Sequence, residues 1–182
     1  MIQMMRFAPD HSLVRLNSKK IIKPFDCGDK NLNDFLYNDS INHMEDLLSV
    51  TYLLESSSNT VAFFSLLNDK IKQEDMESKA RWNKFRKELF PNNKRFVGYP
   101  AMKIGRLGVC TECQKNGIGR LVLDYLKSLF VTNNRTGCRF ITVNAYSESI
   151  GFYQKNGFTC LRDDDEGRGT RLMYFDLKSL IT

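Results

Sequence analysis

The most informative part of the sequence is Arg106-Leu-Gly-Val-Cys-Thr-Glu-Cys-Gln-Lys-Asn-Gly-Ile-Gly-Arg-Leu121. Residues 101–109, which lead into its loop, are predicted to form a strand. After it, apolar residues recur three, four, seven, eight and eleven positions beyond Ile118, which is the pattern of an amphipathic helix. The sequence therefore predicts a strand, a glycine-containing loop and a helix in direct succession.

The loop at residues 114–119 has the chemistry of an anion site. The first amides of a helix have no acceptor within the helix, and the helix dipole favours negative charge at that end. Gly117 and Gly119 remove side chains that would block a phosphate, and Lys115 and Arg120 add positive charge. The loop is neither a Walker A loop nor the six-position dinucleotide fingerprint. Taken alone, its pattern also fits a helix start packed against a sheet.

The composition predicts one globular domain over residues 1–182, since 42% of the residues are hydrophobic and 26% are charged. The N-terminus lacks the pattern of a secretory signal, and no run of residues is apolar enough to span a membrane. The five cysteines form an odd set without framework spacing, which favours reduced thiols. We therefore expect a cytoplasmic protein without membrane contact.

Strand and helix patterns follow one another along the rest of the chain. Short extended pieces are predicted at 13–16 and 21–25, and strands at 50–54, 61–67, 101–109, 140–143, 158–161 and 171–175. Helices are predicted at 29–36, 40–48, 118–129 and 149–156, and a helix or helix pair at 70–90. The residue expected to cap the first helix is Asp29. This order predicts an α/β or α+β protein with a mixed sheet.

The positive charge of the chain is concentrated in one segment. Residues 70–106 contain eleven basic and four acidic side chains, a net charge of +7 in a chain whose net charge is +6. A basic face attracts phosphate-bearing partners such as a nucleotide cofactor or RNA, although a solvated lysine-rich helix has the same composition. The helical part, at about residues 70–95, is interpreted as an inserted covering element.

A second motif lies one helix further along, where residues 152–158 read Phe-Tyr-Gln-Lys-Asn-Gly-Phe. This motif resembles the F-Y-x-K-x-G-F pattern of the GNAT superfamily of acyl-CoA-dependent N-acetyltransferases, and the loop at 114–119 resembles that family's pyrophosphate-binding Q/R-x-x-G-x-G/A. Two motifs in the right order are much more specific than either alone. The resemblance spans nearly the whole chain. It implies a single domain with a mixed central sheet of six to seven strands, a splayed central strand pair and helices on both faces.

The resemblance also implies acetyl-CoA as cofactor and a role for particular residues. Tyr153 resembles the general acid that protonates the departing CoA thiolate; a core tyrosine packed beside Phe152 is the alternative. The backbone before the loop would pair with the pantetheine arm, although packing would also explain Gly105 and Gly108. The expected cofactor-binding residues are Leu107, Gly108, Val109, Gln114, Lys115, Asn116, Gly117, Ile118, Gly119, Arg120 and Asn144.

Two features depart from the family pattern. Tyr146 stands where family members often have an asparagine that contacts the cofactor, so either Asn144 replaces this contact or the contact is lost. No carboxylate on the strand at 101–109 presents itself as the general base that an amine of pKa ~10.4 requires. Glu55, Glu112 and Glu148 are the candidates, with a solvated surface carboxylate as the alternative for each.

The cysteines and histidines offer little support for other chemistry. Cys110 and Cys113 have a zinc-like spacing, but no second compact pair exists and the chain has two histidines, so no metal site is expected. Cys110 as a covalent acyl carrier is disfavoured, because direct transfer in a ternary complex requires no such nucleophile.

The acceptor is less clearly indicated than the cofactor. Residues 25–36 resemble the F-x-C-G-x-x-x-L-N-x-F-L opening of GNAT toxins that acetylate charged tRNA, although a turn, a cap and an apolar helix face explain the same residues. Against this, the inserted segment is expected to make the chain longer than a compact toxin. The primary prediction is an N-acetyltransferase acting on a primary amine of a small molecule, peptide or aminoacyl-tRNA, with RNA contact through residues 70–106. The alternatives are a tRNA-acetylating toxin and a non-catalytic acyl-CoA binding module, and a homodimer is left open.

Overall fold

The computed structural model describes residues 10–90, 96–132, 136–164, 167 and 169–181. Within these residues, seven strands form one mixed sheet in the order β1-β2-β3-β4-β5-β7-β6. The strands are β1 Ser12–Arg15, β2 Val50–Glu55, β3 Thr60–Lys72, β4 Gly98–Val109, β5 Phe140–Tyr146, β6 Thr159–Cys160 and β7 Thr170–Asp176. The α-helices are α1 Lys30–Asp34, α2 Ser40–Glu45, α3 Lys79–Leu89, α4 Ile118–Thr132 and α5 Ile150–Lys155, with a π-helical turn at Phe35–Asp39 between α1 and α2. The predicted fold class is confirmed.

The chain divides into two compact units, and the boundaries fall inside β3 and β4. One unit comprises Met1–Leu67 and Ile104–Asn134, and the other comprises Asn68–Lys103 and Arg135–Thr182. The loop at 114–119 belongs to the first unit, and Tyr153 belongs to the second. That residues 1–182 act as one domain stays a prediction.

The first unit has helices on both faces of its strands. Phe63 and Phe64 are consecutive on β3 and therefore point to opposite faces. Phe63 packs against Phe35 of the π-helical turn, with ring centroids 6.3 Å apart, whereas Phe64 lies 6.5 Å from the ring of Tyr125 on α4. Both phenylalanines are fully buried. Buried aromatic contacts therefore lie on both faces of β3 in this unit.

The second unit is built around an aromatic cluster beneath α3. Trp82 and Phe85 are the buried residues of this helix, and they lie 5.7 Å from the rings of Tyr99 on β4 and Phe140 on β5, respectively. The pairing of β5 with β7 extends from Phe140 opposite Asp176 to Tyr146 opposite Thr170. The basic helix therefore covers the sheet through its apolar side, and most of its lysines remain exposed.

The helix or helix pair predicted over residues 70–90 starts too early in the prediction. β3 continues through Lys72, a short 3₁₀ helix spans Gln73–Asp75, and α3 begins at Lys79, where Ser78 accepts a hydrogen bond from the N–H of Arg81 at 3.1 Å. Ile71 is 1% exposed while Lys70 is exposed, which is the alternation of a strand. Because lysines flank Ile71, this alternation of buried and exposed residues was not recognised in the sequence. Residues 91–95 of the same predicted segment lie outside the described residues.

Among the described residues, the extended piece predicted at 21–25 pairs with no strand of the sheet, and the Asp29 cap is confirmed. The hydroxyl of Tyr37 accepts from the N–H of Phe25 at 2.7 Å and donates to its carbonyl at 3.0 Å, so a side chain satisfies groups that a strand would pair. The Asp29 carboxylate accepts from the N–H groups of Asn31 and Leu32 at 2.8 and 3.2 Å. The chain therefore enters α1 from an irregular segment.

Candidate active site

The loop after β4 exposes the beginning of α4. Lys115 and Gly117 have φ values of 65° and 81°, which turn the chain sharply before the helix. The carbonyl of Gly117 accepts the first helical hydrogen bond, from the N–H of Leu121 at 2.9 Å. The preceding amides, from Ile118 to Arg120, thus form the first turn, which has no acceptors within the helix.

The surroundings of this turn fit a diphosphate. A Cβ at Gly117 would meet no atom within 4 Å, so the space beside the turn is open. Lys115 and Asn116 are exposed, and the Arg120 side chain is 76% exposed, with its Nε 3.5 Å from a carboxylate oxygen of Asp124. Positive side chains and the helix dipole act in the same direction here.

The side chain of Gln114 anchors the loop. Its Nε2 donates to the carbonyls of Cys27 and Val109 at 2.9 and 3.0 Å, and its backbone N–H lies 3.4 Å from the carbonyl of Thr111. Through these contacts, the Gln114 side chain fixes the loop between β4 and α4. Binding of a cofactor by Gln114 itself stays a prediction.

The end of β4 packs closely on the first unit's core. A Cβ at Gly108 would lie 2.7 Å from Phe63 and 3.2 Å from Phe25, and one at Gly105 would lie 2.7 Å from Leu67. Of the two explanations for these glycines, the contacts therefore support packing. Leu107 and Val109, on either side of Gly108, are half-buried. The splay of this strand end and its pairing with a cofactor stay predictions.

Gly108→Ala is expected to lower the free energy of unfolding by about 1–3 kcal/mol, the usual cost of overpacking a core. The reason is that the Phe63 ring is fully buried and cannot move aside freely. Chemical denaturation measures the change. Gly137→Ala is the control, because a Cβ there would meet no atom within 4 Å. Equal stability of the two variants would contradict the packing explanation.

Asn144 is accessible on β5. It is exposed, as is Tyr146 two residues later, whereas Val143 and Ala145 are buried on the opposite face. The Asn144 amide can therefore offer a hydrogen bond to a ligand, and the Tyr146 ring, 42% exposed, lies on the same face. The replacement of the family's usual asparagine by Asn144 stays a prediction.

Tyr153 is held by the turn that ends α5. The N–H of Phe158 donates to the carbonyl of Tyr153 at 3.0 Å, and Gly157, with φ of 82°, takes the left-handed conformation that this helix ending requires. The ring centroid of Phe158 lies 5.3 Å from that of Tyr153, and the Phe152 centroid lies 5.1 Å away, both in edge-to-face arrangements. Two aromatic residues of the 152–158 motif therefore pack against the tyrosine ring.

Burial governs the acidity of this tyrosine. Tyr153 is 6% exposed, and its burial raises the pKa of the phenol. The hydroxyl therefore keeps its proton at neutral pH, as a proton donor must. Proton transfer to a thiolate becomes more favourable where that thiolate is also desolvated, because burial raises the pKa of a thiol in the same way.

The three carboxylates considered as general base differ in their surroundings. Glu55 is 2% exposed, and its Oε2 lies 2.8 Å from Nζ of Lys20 and 3.7 Å from Nζ of Lys23. This carboxylate is occupied in a structural ion pair. Glu112 and Glu148 are exposed, in agreement with the alternative of solvated carboxylates.

The two cysteines after β4 share one turn. The N–H of Cys113 donates to the carbonyl of Cys110 at 2.9 Å, and burial, with a further contribution from Cys113, raises the pKa of the Cys110 thiol to about 11. A thiol protonated at neutral pH is a poor nucleophile. Across the described parts of the chain, no three histidine, cysteine or acidic side chains are grouped as metal ligands.

Comparison with known proteins identifies the class of enzyme. Residues 68–178 match the acetyltransferase (GNAT) domain family. Because this match covers more than half of the sequence, the chain belongs to the GNAT acetyltransferases. The predictions of family, enzyme class and acetyl-CoA as cofactor are thereby confirmed. No curated protein sequence matches the chain.

Solved structures share the fold over nearly the whole chain. A tyrosine-to-phenylalanine variant of KacT aligns with a TM-score of 0.74 and 21% identity, over 94% of this chain and 98% of that one. AtaTR bound with AcCoA aligns with a TM-score of 0.72 and 20% identity, over 96% and 100% of the two chains. AtaT complexed with acetyl-methionyl-tRNAfMet gives 0.69 and 18%, over 94% and 98%.

These alignments bear on the length of the chain. They include 94% of this chain and 96–98% of the AtaT chain, so the two chains differ little in length. Among the described residues, no helix is both long enough and apolar enough to cross a membrane.

Proposed function

We propose that this enzyme transfers an acetyl group from acetyl-CoA to a primary amine by direct transfer in a ternary complex. The observation that carries the proposal is the open, positively charged first turn of α4, held in place by the Gln114 side chain. Acetyl-CoA supplies the activated thioester. The amine nitrogen bonds to the acetyl carbon, the carbon–sulfur bond breaks, and the amine gives up one proton.

We assign a separate task to each of the backbone segments and side chains that the two motifs indicate. The first amides of α4, together with Lys115 and Arg120, bind the diphosphate. The backbone of Leu107, Gly108 and Val109 pairs with the pantetheine arm, and Asn144 adds a hydrogen bond. Tyr153 holds the proton that the departing thiolate receives. These assignments are proposals for experiment.

Aminoacyl-tRNA is the acceptor that we favour among amines. The solved structure of AtaT contains acetyl-methionyl-tRNAfMet, and residues 25–36 of this chain match the opening pattern of toxins acting on charged tRNA. An α-amino group has a pKa of about 7.7–8.0, so roughly one in ten is unprotonated at pH 7, against fewer than about one in a thousand lysine side chains. Glu55 is held in an ion pair and is therefore not free to remove a proton from the acceptor. An amine that is already partly unprotonated at neutral pH needs less help from a general base, which favours an α-amino group.

A groove beside α3 provides a surface suited to RNA. Its volume is about 760 Å³. The residues that give it charge and aromatic character are Lys79, Arg86, Lys87, Trp82, Phe96 and Tyr99. The Arg86 guanidinium lies 5.5 Å from the centroid of the Trp82 ring, and Phe96 is 55% exposed. Phe96 is the exposed ring among these aromatic residues, and a positive surface with an accessible ring is typical of single-stranded nucleic-acid binding.

Replacing Lys79 and Lys87 together by glutamine is expected to weaken aminoacyl-tRNA binding. Each phosphate contact contributes about one unit to the slope of log K against log salt, so the slope should become shallower by about two. The measurement is the KM for aminoacyl-tRNA across a salt series. Replacing the exposed Lys19 and Lys30 by glutamine is the control, since it removes the same charge elsewhere. Equal salt slopes for the two variants would exclude the groove as an RNA contact.

The proposed function is tested by calorimetry with acetyl-CoA, followed by thiol release against free amines, peptides and aminoacyl-tRNA. Release with aminoacyl-tRNA alone would support the favoured acceptor, and release with another amine would replace it. Binding without release on any acceptor would favour the non-catalytic module. Absence of binding would overturn the proposal. Cytoplasmic location and a homodimer stay predictions.

A further inference from the structure

The segment before α1 contacts the loop that follows β4. The carbonyl of Asp26 accepts from the N–H of Thr111 at 2.9 Å, and the carbonyl of Cys27 accepts from Nε2 of Gln114 at 2.9 Å. The two acceptors belong to consecutive residues. The conformation of these two residues therefore sets where the loop turns towards α4.

One side chain holds this pair of residues. Oδ1 of Asn33 accepts from the N–H of Cys27 at 3.1 Å and from its thiol at 3.2 Å, while Nδ2 of Asn33 donates to Oδ1 of Asp26 at 2.7 Å. The same oxygen of Asp26 accepts from the N–H of Gly28 at 2.8 Å, and these two hydrogen bonds lower the pKa of Asp26. The carboxylate stays ionised at neutral pH, which strengthens both bonds.

Asn33 is itself fixed by the helix on which it stands. The Asp29 cap secures the first turn of α1, and Phe35 and Leu36, just beyond Asn33, are buried at 5% and 0% exposure. Asn33 thus stands on a helix whose continuation enters the core, and its amide bonds the Cys27 N–H and thiol and the Asp26 carboxylate. A rigid support of this kind is what precise placement of a binding loop requires.

We propose that Asn33 is a positioning residue for the diphosphate of acetyl-CoA. It fixes the Asp26 and Cys27 carbonyls, and these hold Thr111 and Gln114 so that the first amides of α4 face the ligand. The inference rests on the proposed cofactor site and not on the acceptor. It also gives the asparagine of the 25–36 pattern a task in cofactor binding, whichever amine is acetylated.

Asn33→Ala is expected to weaken CoA binding about three- to tenfold, because it removes the three hydrogen bonds that fix Asp26 and Cys27 and so loosens the loop. Calorimetry measures the dissociation constant, and hydrogen–deuterium exchange should accelerate in peptides covering 110–120 while peptides covering 140–155 remain unchanged. Asn33→Asp is a second variant of the same size, which keeps an acceptor for Cys27 but places a carboxylate against Asp26. Asn31→Ala, at an exposed position on the same helix, is the control.

A double-mutant cycle tests whether Asn33 acts through the proposed route. If Asn33 and Gln114 belong to one chain of contacts, Asn33→Ala combined with Gln114→Ala should weaken CoA binding little more than the worse single change. Additive losses would show that Asn33 acts by another path and would overturn the proposal. So would unchanged CoA affinity in both folded Asn33 variants, or exchange that accelerates throughout the chain.

The exchange measurement separates this inference from the proposed function. Faster exchange confined to 110–120 would support the positioning role even if no amine were acetylated. A wild-type protein that fails to bind CoA would overturn the cofactor site, and the positioning role in binding with it. A wild-type protein that binds CoA without acetylating any amine would overturn only the proposed reaction.

Discussion

Gly119→Glu abolishes CoA binding and leaves the fold intact: this is the largest effect that we expect from a single substitution. Gly119 lies in the first turn of α4, which we propose as the diphosphate site, so the substitution adds a carboxylate to that turn. Two like charges about 4 Å apart repel by about 4 kcal/mol at an effective dielectric constant of about 20, which corresponds to about a thousandfold in affinity. Calorimetric titration with CoA measures the loss.

The melting temperature of Gly119→Glu distinguishes a specific loss of CoA binding from unfolding. Glutamate replaces a poor helix former in the first turn, where the helix dipole favours negative charge, so the melting temperature should stay level or rise. Gly137→Glu introduces the same charge at another exposed glycine and should bind CoA normally. Wild-type affinity in Gly119→Glu would refute the assignment of this loop to the diphosphate.

Tyr153→Phe should lower kcat by about a hundredfold or more while the dissociation constant of acetyl-CoA stays within about twofold. The substitution removes the hydroxyl but keeps the ring that Phe152 and Phe158 pack against. Tyr174→Phe is the matched control, since burial raises the pKa of that hydroxyl as well, while its ring packs against Phe85 and Phe140. An unaltered kcat would assign Tyr153 to core packing instead.

The leaving group offers an independent test of the same role. A thioester of an acidic aromatic thiol releases a stable thiolate that needs no proton, so Tyr153→Phe should lose far less activity with this donor than with acetyl-CoA. A Tyr153→Phe variant that is equally slow with both donors would show that the hydroxyl acts in some way other than proton donation.

The sequence predicted those parts of the fold that depend on local pattern. The helix from Ile118, its preceding loop and the cap at Asp29 all follow from spacing and from residues with a specific backbone role. The extension of β3 to Lys72 could not be predicted in this way. There, a single buried residue, Ile71, alternates with polar neighbours, and its partners come from distant parts of the chain.

The site was predictable in its residues more than in their tasks. The motif pattern indicated Gln114, but it could not show that the side chain would bind two carbonyls, one of them 87 residues earlier in the chain. Nor could it show how closely Gly108 approaches the Phe63 ring, because sequence patterns carry no information on which residues of neighbouring strands lie side by side. The role of Asn33 depends on the same kind of long-range contact and was missed for that reason.

The turn that follows Tyr153 also constrains how this chain can vary. A hydrogen bond joins the Tyr153 carbonyl to the Phe158 amide, so the number of residues between them is fixed even though Gln154 and Lys155 are exposed. Substitutions at these two positions should be tolerated, whereas a one-residue insertion or deletion would rotate Phe158 away from the tyrosine ring. Length, more than residue identity, is therefore the property that engineered versions of this segment must keep.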